Sequence, residues 1–132
     1  MSMIIGVGVD LVHVPSFAEQ LDQPGSRFDG NFTPGEQRDI AARGGHARHW
    51  AARWAAKEAL IKAWSGSMYG EEPVMDEFAV AQIEVVSDAW GRPRLLLHGE
   101  VAKRLECLVA DVSLSHDGDY AMAYVVLSAA SK

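Results

Sequence analysis

Hydrophobic and polar residues alternate with a period of two over residues 3–12, which is typical of a β-strand. The alternation places Val7, Val9 and Leu11 on one face and Gly6, Gly8 and Asp10 on the other. Glycines weaken a strand and often mark a position where a ligand or another backbone comes close. The pattern therefore predicts an N-terminal strand with open space beside the carboxylate of Asp10.

The spacing of apolar residues and turn residues predicts alternating helices and strands along the rest of the chain. Thr33-Pro34-Gly35-Glu36 has the pattern of a helix start, with an N-cap, a proline at the first position and a capping box. We predict helices over residues 15–21, 33–43, 50–64 and 100–108, strands over 83–87 and 94–98, and a hairpin of 111–115 with 120–127. Residues 22–31 read as a turn-rich loop, 65–67 as a helix break and 71–78 as an exposed connection. This mixture predicts an α+β fold in a single domain, residues 1–132.

The helix over residues 50–64 carries an acid within its apolar stripe. At about 100° per residue, Trp54, Glu58, Ile61 and Lys62 fall within roughly a 100° arc. A carboxylate is seldom left on such a face unless a cation compensates it. An adjacent basic strip, Arg53 and Lys57, supplies positive charge. The alternative is that Glu58 and Lys62 form an ordinary solvated pair four residues apart.

Two further residues are candidates for chemistry. Asp10 and Glu58 together offer hard oxygen ligands from different elements, which suits Mg²⁺ shared with substrate phosphates; alternatively, Asp10 caps a turn at the strand end. His116 follows Ser113-Leu114-Ser115 at a hairpin turn, where it is suited to meet a phosphate or a proton. The alternative for His116 is a surface histidine without a role.

Composition narrows the class of protein. The chain has 132 residues, of which 48% are hydrophobic and 23% charged, which favours one globular domain. A net charge of −6 argues against nucleic acid as the main partner. We find neither a signal peptide nor an apolar stretch of transmembrane length, so we expect a cytoplasmic protein that does not engage a membrane. The single Cys107 reads as a small buried residue.

Taken together, these motifs resemble the holo-[acyl-carrier-protein] synthase family of 4′-phosphopantetheinyl transferases over nearly the whole chain. The WSGS continuation at residues 64–67 resembles actinobacterial members. The matching segments stand in family order: GVGVDLV (6–12), FTPGE (32–36), ARWAAKEALIKAW (52–64), GRP (91–93) and VSLSHDGDYAMAYVVL (112–127). The resemblance implies the family fold, an antiparallel sheet packed on a long Trp-rich helix. It also implies an enzyme of fatty acid biosynthesis that transfers 4′-phosphopantetheine from coenzyme A to a carrier-protein serine and releases adenosine 3′,5′-bisphosphate.

The resemblance further implies roles for individual residues. Asp10 and Glu58 match ligands of Mg²⁺, with Mn²⁺ as an alternative metal. Residues matching positions that bind the coenzyme A phosphates are Arg53, Lys57, Lys62 and His116, with Gly66, Pro93 and Ser115 near the nucleotide. We expect Lys62 to neutralise charge in the transition state. Three candidates for the base that accepts the serine proton stay open: Glu58, His116 and a water molecule held by the metal near Asp10.

The residues expected to meet the carrier partner are one of two places where the chain departs from the family; the other is Ser65-Gly66-Ser67 with the longer connection to Phe78. Pro15 and Ser16 stand where relatives that act on free acidic carriers have a basic docking residue. With its net acidic charge, the chain is therefore expected to favour a less acidic carrier, such as a domain of a large fatty-acid synthase. The family also implies a homotrimer with interfacial sites. Two alternative functions are a Mg²⁺-dependent nucleotide hydrolase and a non-catalytic module that binds coenzyme A or a carrier.

Overall fold

The computed structural model of the chain describes residues 3–25, 28–72 and 77–129. Its elements are β1 (Met3–His13), α1 (Val14–Leu21), α2 (Pro34–Ala42), α3 (Ala47–Ser67), β2 (Ile83–Ser87), β3 (Pro93–Leu97), α4 (Gly99–Arg104), β4 (Leu108–Asp117) and β5 (Tyr120–Ala129), with 3₁₀ turns at Phe28–Asn31 and Glu77–Gln82. The predicted α+β class is confirmed. In the predicted loops, residues 26–27 and 73–76 lie outside the described part of the chain.

The strands form two antiparallel sheets rather than one. The larger sheet has the order β1-β5-β4, and the smaller one is the hairpin of β2 and β3. Asp10 and Leu114 both stand opposite Ala123 of the central strand. The outer strands β1 and β4 therefore carry Asp10 and His116, the two candidates that sequence placed at opposite ends of the chain.

Close contact between β1 and α3 explains the two glycines of the first strand. A Cβ atom at Gly6 would overlap the carbonyl oxygen of Ala63, and one at Gly8 would overlap that of Ala59. The strand backbone therefore lies directly on the helix backbone, and only glycine leaves room for this approach. The backbone that comes close to these glycines is therefore that of α3, and the contact between β1 and α3 places Asp10 beside the side chains of α3.

The main core lies between α3 and one face of the larger sheet. Small residues of α3 meet alternate residues of β5, and the buried members are Ala55, Ala59, Ala63, Ala123, Val125 and Leu127. On the opposite face of this sheet, the exposed side chains of β1 and β5 are mainly apolar, while β4 adds the exposed polar residues Asp111, Ser113 and Ser115. We call the exposed apolar set on β1 and β5 the open sheet face: Val7, Val9, Leu11, Met122 and Tyr124.

Several predicted boundaries and burials were wrong. The helix α3 continues through Gly66 to Ser67, because a glycine in the last turn of a long packed helix costs only about 1 kcal/mol. In contrast, α4 ends at Arg104, so Cys107 lies in the turn before β4 and is exposed rather than buried. Among the described residues, no helix is both long and apolar enough to cross a membrane.

Candidate functional site

One pocket brings together Asp10 from β1 and Glu58 from α3. This acidic pocket has a volume of about 340 Å³, and its wall also includes His13, Ser16 and Trp54. At its edge the ammonium of Lys62 donates hydrogen bonds to Asp10 Oδ1 at 3.0 Å and to the Val9 carbonyl oxygen at 3.1 Å. Packing of β1 on α3 therefore assembles two carboxylates and one ammonium from residues that are far apart in sequence.

The burial of Glu58 differs from what the periodicity predicted. Glu58 is half-buried, whereas the neighbouring basic residues Arg53 and Lys57 are 5% and 0% exposed. Alanines on several faces of α3 let other elements pack closely around the helix, so the apolar stripe did not define its most buried side. The helix buries its positive strip and leaves Glu58 open to the acidic pocket.

Burial raises the pKa of Glu58, and the nearby negative charge of Asp10 raises it further, while Lys62 acts in the opposite direction. Two carboxylates that line one pocket, of which the half-buried Glu58 holds its proton more readily than usual, form a place where a cation is favourable. No group of three or more His, Cys, Asp or Glu side chains arranged for a metal is found within the described residues. Two carboxylates with the remaining positions left to water and phosphate oxygens fit Mg²⁺, which binds proteins in this way.

A second pocket, of about 420 Å³, is rich in positive charge. We call it the cationic pocket, because three arginines and two histidines line it. They are Arg48, His49 and Arg53 of α3, Arg43 at the end of α2 and His116 of β4. Ser115 and Ser87 supply hydroxyl groups to the same wall. This combination of guanidinium groups, imidazoles and hydroxyls is suited to bind phosphate groups.

Arg53 is fixed within the cationic pocket by its own contacts. Its guanidinium pairs with Asp39 and donates to the His49 carbonyl oxygen at 3.0 Å. Two polar atoms of the described chain, Arg53 Nε and His49 Nε2, are buried without a hydrogen-bond partner. Buried polar atoms are costly when unpaired, so these two atoms are favourable positions for an anionic ligand or an ordered water.

The protonation of His49 depends on these neighbours. Burial is the largest cause that lowers the pKa of His49, and the positive charges of Arg48, Arg53 and His46 lower it further. An anion bound in the cationic pocket would offset those charges and favour the protonated imidazole.

Sequence reasoning missed Arg43, Arg48 and His49, and gave His49 no role. A usable signal was present, since Arg48, His49 and Arg53 lie within two turns of one helix. Their convergence with Ser115 and His116 required the fold, because these two residues of β4 lie more than sixty residues further along the chain. No local sequence pattern indicates that residues so far apart in the chain line one pocket.

The remaining predicted site residues lie in different places. Pro93 begins β3 and lines a separate groove with Arg92 and Arg94, while Gly66 is exposed in the last turn of α3. Lys57 is enclosed: its ammonium donates to Glu36 Oε1 at 2.7 Å, to the Val80 carbonyl at 3.1 Å and to the Ile83 carbonyl. This interior position is at odds with the predicted phosphate contact of Lys57, because all three ammonium hydrogens already have protein acceptors.

The acidic and cationic pockets share no lining residue. Asp10 and His116 belong to the two outer strands of the larger sheet, so about 10 Å of sheet separates their backbones. Within a single chain the carboxylates and the arginines therefore line two separate pockets.

Comparison with known proteins gives a consistent result. The sequence profile of the 4′-phosphopantetheinyl transferase superfamily matches residues 6–125. A holo-[acyl-carrier-protein] synthase of Mycobacterium ulcerans is 57% identical over 125 residues, which cover 94% of this chain and 96% of that protein.

Solved structures extend the similarity to the fold. An acyl carrier protein synthase from Mycobacterium tuberculosis superimposes with a TM-score of 0.80 at 50% identity, covering 96% of this chain and 99% of that one. An acyl carrier protein synthase in complex with coenzyme A, from Chronobacterium ammoniagenes, gives a TM-score of 0.87 at 48% identity, covering 96% and 98%.

Proposed function

This chain belongs to the 4′-phosphopantetheinyl transferase superfamily, and from that membership we infer its reaction. It transfers the 4′-phosphopantetheine group of coenzyme A to a serine of an apo acyl carrier protein. A base accepts the proton of the serine hydroxyl, the serine oxygen forms a bond to the phosphorus of the pantetheine-bearing phosphate, the pyrophosphate bond breaks, and adenosine 3′,5′-bisphosphate leaves. Its pathway is fatty acid biosynthesis.

The observation that best supports this reaction is the meeting of Asp10 and Glu58 in the acidic pocket, with the ammonium of Lys62 hydrogen-bonded to Asp10. We propose that Asp10 and Glu58 hold Mg²⁺, or Mn²⁺ in its place, while Lys62 presents its ammonium at the pocket edge. When bound, the metal would supply positive charge against the pyrophosphate. The Lys62 ammonium stabilises the negative charge that accumulates on the leaving phosphate, and its bond to the Val9 carbonyl keeps it in place.

We assign the phosphates of the adenosine half of coenzyme A to the cationic pocket. Arg53 and His116 were predicted to bind the phosphates and Ser115 to lie near the nucleotide, and their common wall with Arg43 and Arg48 supports this assignment. Guanidinium groups suit phosphate because their paired N–H donors match two phosphate oxygens. The unpartnered Arg53 Nε, which always carries a hydrogen, adds a buried donor that an anion would satisfy.

The site is proposed to be completed by assembly into a homotrimer. The open sheet face presents five large apolar side chains, between 38% and 62% exposed, on two adjacent strands. Monomers rarely leave an apolar patch of this kind in water. Packing this face against other copies would also allow the acidic pocket of one subunit to meet the cationic pocket of another, so that the two together form one site. Within a single chain the two pockets are apart.

The carrier is proposed to be less acidic than a typical free carrier protein, as a domain of a fatty-acid synthase would be. The helix α1 borders the acidic pocket through Ser16 and Gln20, and it carries Glu19 but no lysine or arginine. A surface without positive charge gains nothing from an acidic recognition helix. Cytoplasmic location belongs to the same proposal, since the resemblance to carrier-modifying synthases implies it.

Intact-mass measurement of an apo carrier domain tests the function. Incubation with this protein, coenzyme A and Mg²⁺ should add one phosphopantetheine, and EDTA or Glu58→Gln should abolish the gain. Release of adenosine 3′,5′-bisphosphate without any carrier would identify a hydrolase instead. Tight coenzyme A binding with no modification of synthase-embedded or free carriers would leave a binding module.

A further inference from the structure

Lys57 and Glu36 form an ion pair in the interior of the protein. The two side chains are 0% and 1% exposed, and Lys57 Nζ lies 2.7 Å from Glu36 Oε1. The same carboxylate accepts from the Thr33 backbone N–H through Oε1 and from the Val85 N–H through Oε2, both at 2.9 Å. Each charge is therefore hydrogen-bonded by protein on several sides.

These contacts join four parts of the fold at one point. Glu36 closes the capping box of α2, and its second oxygen holds β2. Lys57 belongs to α3 and also binds the carbonyls of Val80 and Ile83, at the end of the 3₁₀ turn and the start of β2. One side of α3 is thereby tied to α2 and β2, opposite the contacts that β1 makes through its glycines.

Stability alone is a poor explanation for this pair. Taking both charges out of water costs about as much as their attraction returns, and well-packed apolar residues in such places often stabilise as well or better. In keeping with that cost, burial lowers the pKa of Lys57 even though Glu36 acts to raise it. Buried polar contacts are instead best known for fixing one arrangement over others, because a shifted arrangement leaves a charge unpaired.

We propose that Lys57 is a positioning residue, and that its pairing with Glu36 fixes the rotation of α3 so that Glu58 meets Asp10. The proposal rests on the function inferred above and gives Lys57 a role other than phosphate binding. Lys57 and Glu58 are adjacent and point about 100° apart around the helix. Consequently, holding Lys57 toward α2 and β2 directs Glu58 toward β1 and the acidic pocket. Arg53, one turn before Lys57, is held on the same side by Asp39.

A double-mutant cycle on the full-length protein tests this role. The variants are Lys57→Met, Glu36→Gln and the double variant, with Lys103→Met as a control that removes an exposed lysine from α4. The readouts are Mn²⁺ affinity, from the electron paramagnetic resonance signal of free Mn²⁺, and coenzyme A affinity in EDTA by calorimetry. Thermal unfolding shows that each variant is folded at the temperature used.

Loss of a contact that orients a metal ligand typically weakens metal binding by about tenfold or more. We expect Lys57→Met and Glu36→Gln each to lower Mn²⁺ affinity about tenfold, and the double variant also about tenfold rather than a hundredfold. Coenzyme A affinity in EDTA should then respond alike to both single changes, and Lys103→Met should alter neither readout.

Two results would overturn the proposal. The first is a folded single variant with Mn²⁺ affinity within about twofold of the wild type; the second is coenzyme A binding weakened by Lys57→Met but not by Glu36→Gln. If unpaired charge keeps the single variants from folding, the double variant decides, because it carries none; unchanged Mn²⁺ affinity there would again exclude the role. A Glu58→Gln variant tests the metal site separately from the positioning role of Lys57. If this variant bound Mn²⁺ as tightly as the wild type, both the metal site and the positioning role would be overturned.

Discussion

Replacing Gly8 with alanine is the most direct test of how the site is assembled. The added Cβ would overlap the carbonyl oxygen of Ala59 and would lie 2.7 Å from the backbone nitrogen of Ala63. Both neighbours are helix backbone, which cannot turn aside as a side chain can. The strain must therefore be relieved by moving β1 away from α3.

The expected cost is at the upper end of the range for overpacking. Such substitutions usually lower the free energy of unfolding by about 1–3 kcal/mol, and we expect about 3 kcal/mol here because the added Cβ meets backbone atoms. For a domain of this length, that corresponds to a Tm lower by roughly 10 °C. The same displacement stretches the 3.0 Å contact between Lys62 and Asp10, so a shift of about 1 Å would break that hydrogen bond. Transfer activity should therefore fall even at temperatures where the variant is folded.

Chemical unfolding and carrier modification measure the two effects separately. Gly30→Ala is the matched control, because a Cβ at Gly30 meets nothing within 4 Å. If Gly8→Ala unfolds within about 0.5 kcal/mol of the wild type and modifies the carrier at the wild-type rate, the direct packing of β1 on α3 is not what places Asp10.

Three other changes have defined outcomes. Lys62→Met should lower kcat by about a hundredfold, because it removes the ammonium proposed to stabilise the leaving phosphate, and it should affect coenzyme A affinity much less. A change in coenzyme A affinity alone would show that Lys62 only binds the substrate. The pKa of His49 lies below 6.5 in the folded protein, so the unfolded chain binds the proton more readily, and the free energy of unfolding should fall as the pH drops below 6.5 through the native pKa. His49→Gln should reduce this dependence of the unfolding free energy on pH, and an unchanged dependence would assign it to other groups. Val9→Glu on the open sheet face should convert a trimer to monomers in analytical ultracentrifugation with little loss of monomer stability, and a persistent trimer would place the interface elsewhere.

Local patterns predicted most of the elements. The alternation of β1 and the capping box of Thr33 and Glu36 are strictly local features, and both are present as expected. The boundaries that failed, at Ser67 and Arg104, are helix ends, where a small free-energy difference moves the last residue.

The site was less accessible to sequence reasoning, for a physical reason. Periodicity reports which face of a helix is apolar, but α3 has alanines on several faces, so the pattern did not show that Arg53 and Lys57 are buried. Their burial depends on Asp39 and Glu36, acids of a different helix. Such partners become visible only when the tertiary structure brings the two helices together.

The separation of the acidic and cationic pockets has a consequence for genetics. If each site takes one half from each of two subunits, an Asp10→Asn chain and a His116→Ala chain are defective in different halves. Neither allele would support growth alone, yet cells carrying both would form mixed trimers in which about a third of the interfaces pair two intact halves. The two alleles would therefore complement each other. A chain that carried both substitutions would instead interfere with the wild type, since every interface that includes it lacks one half.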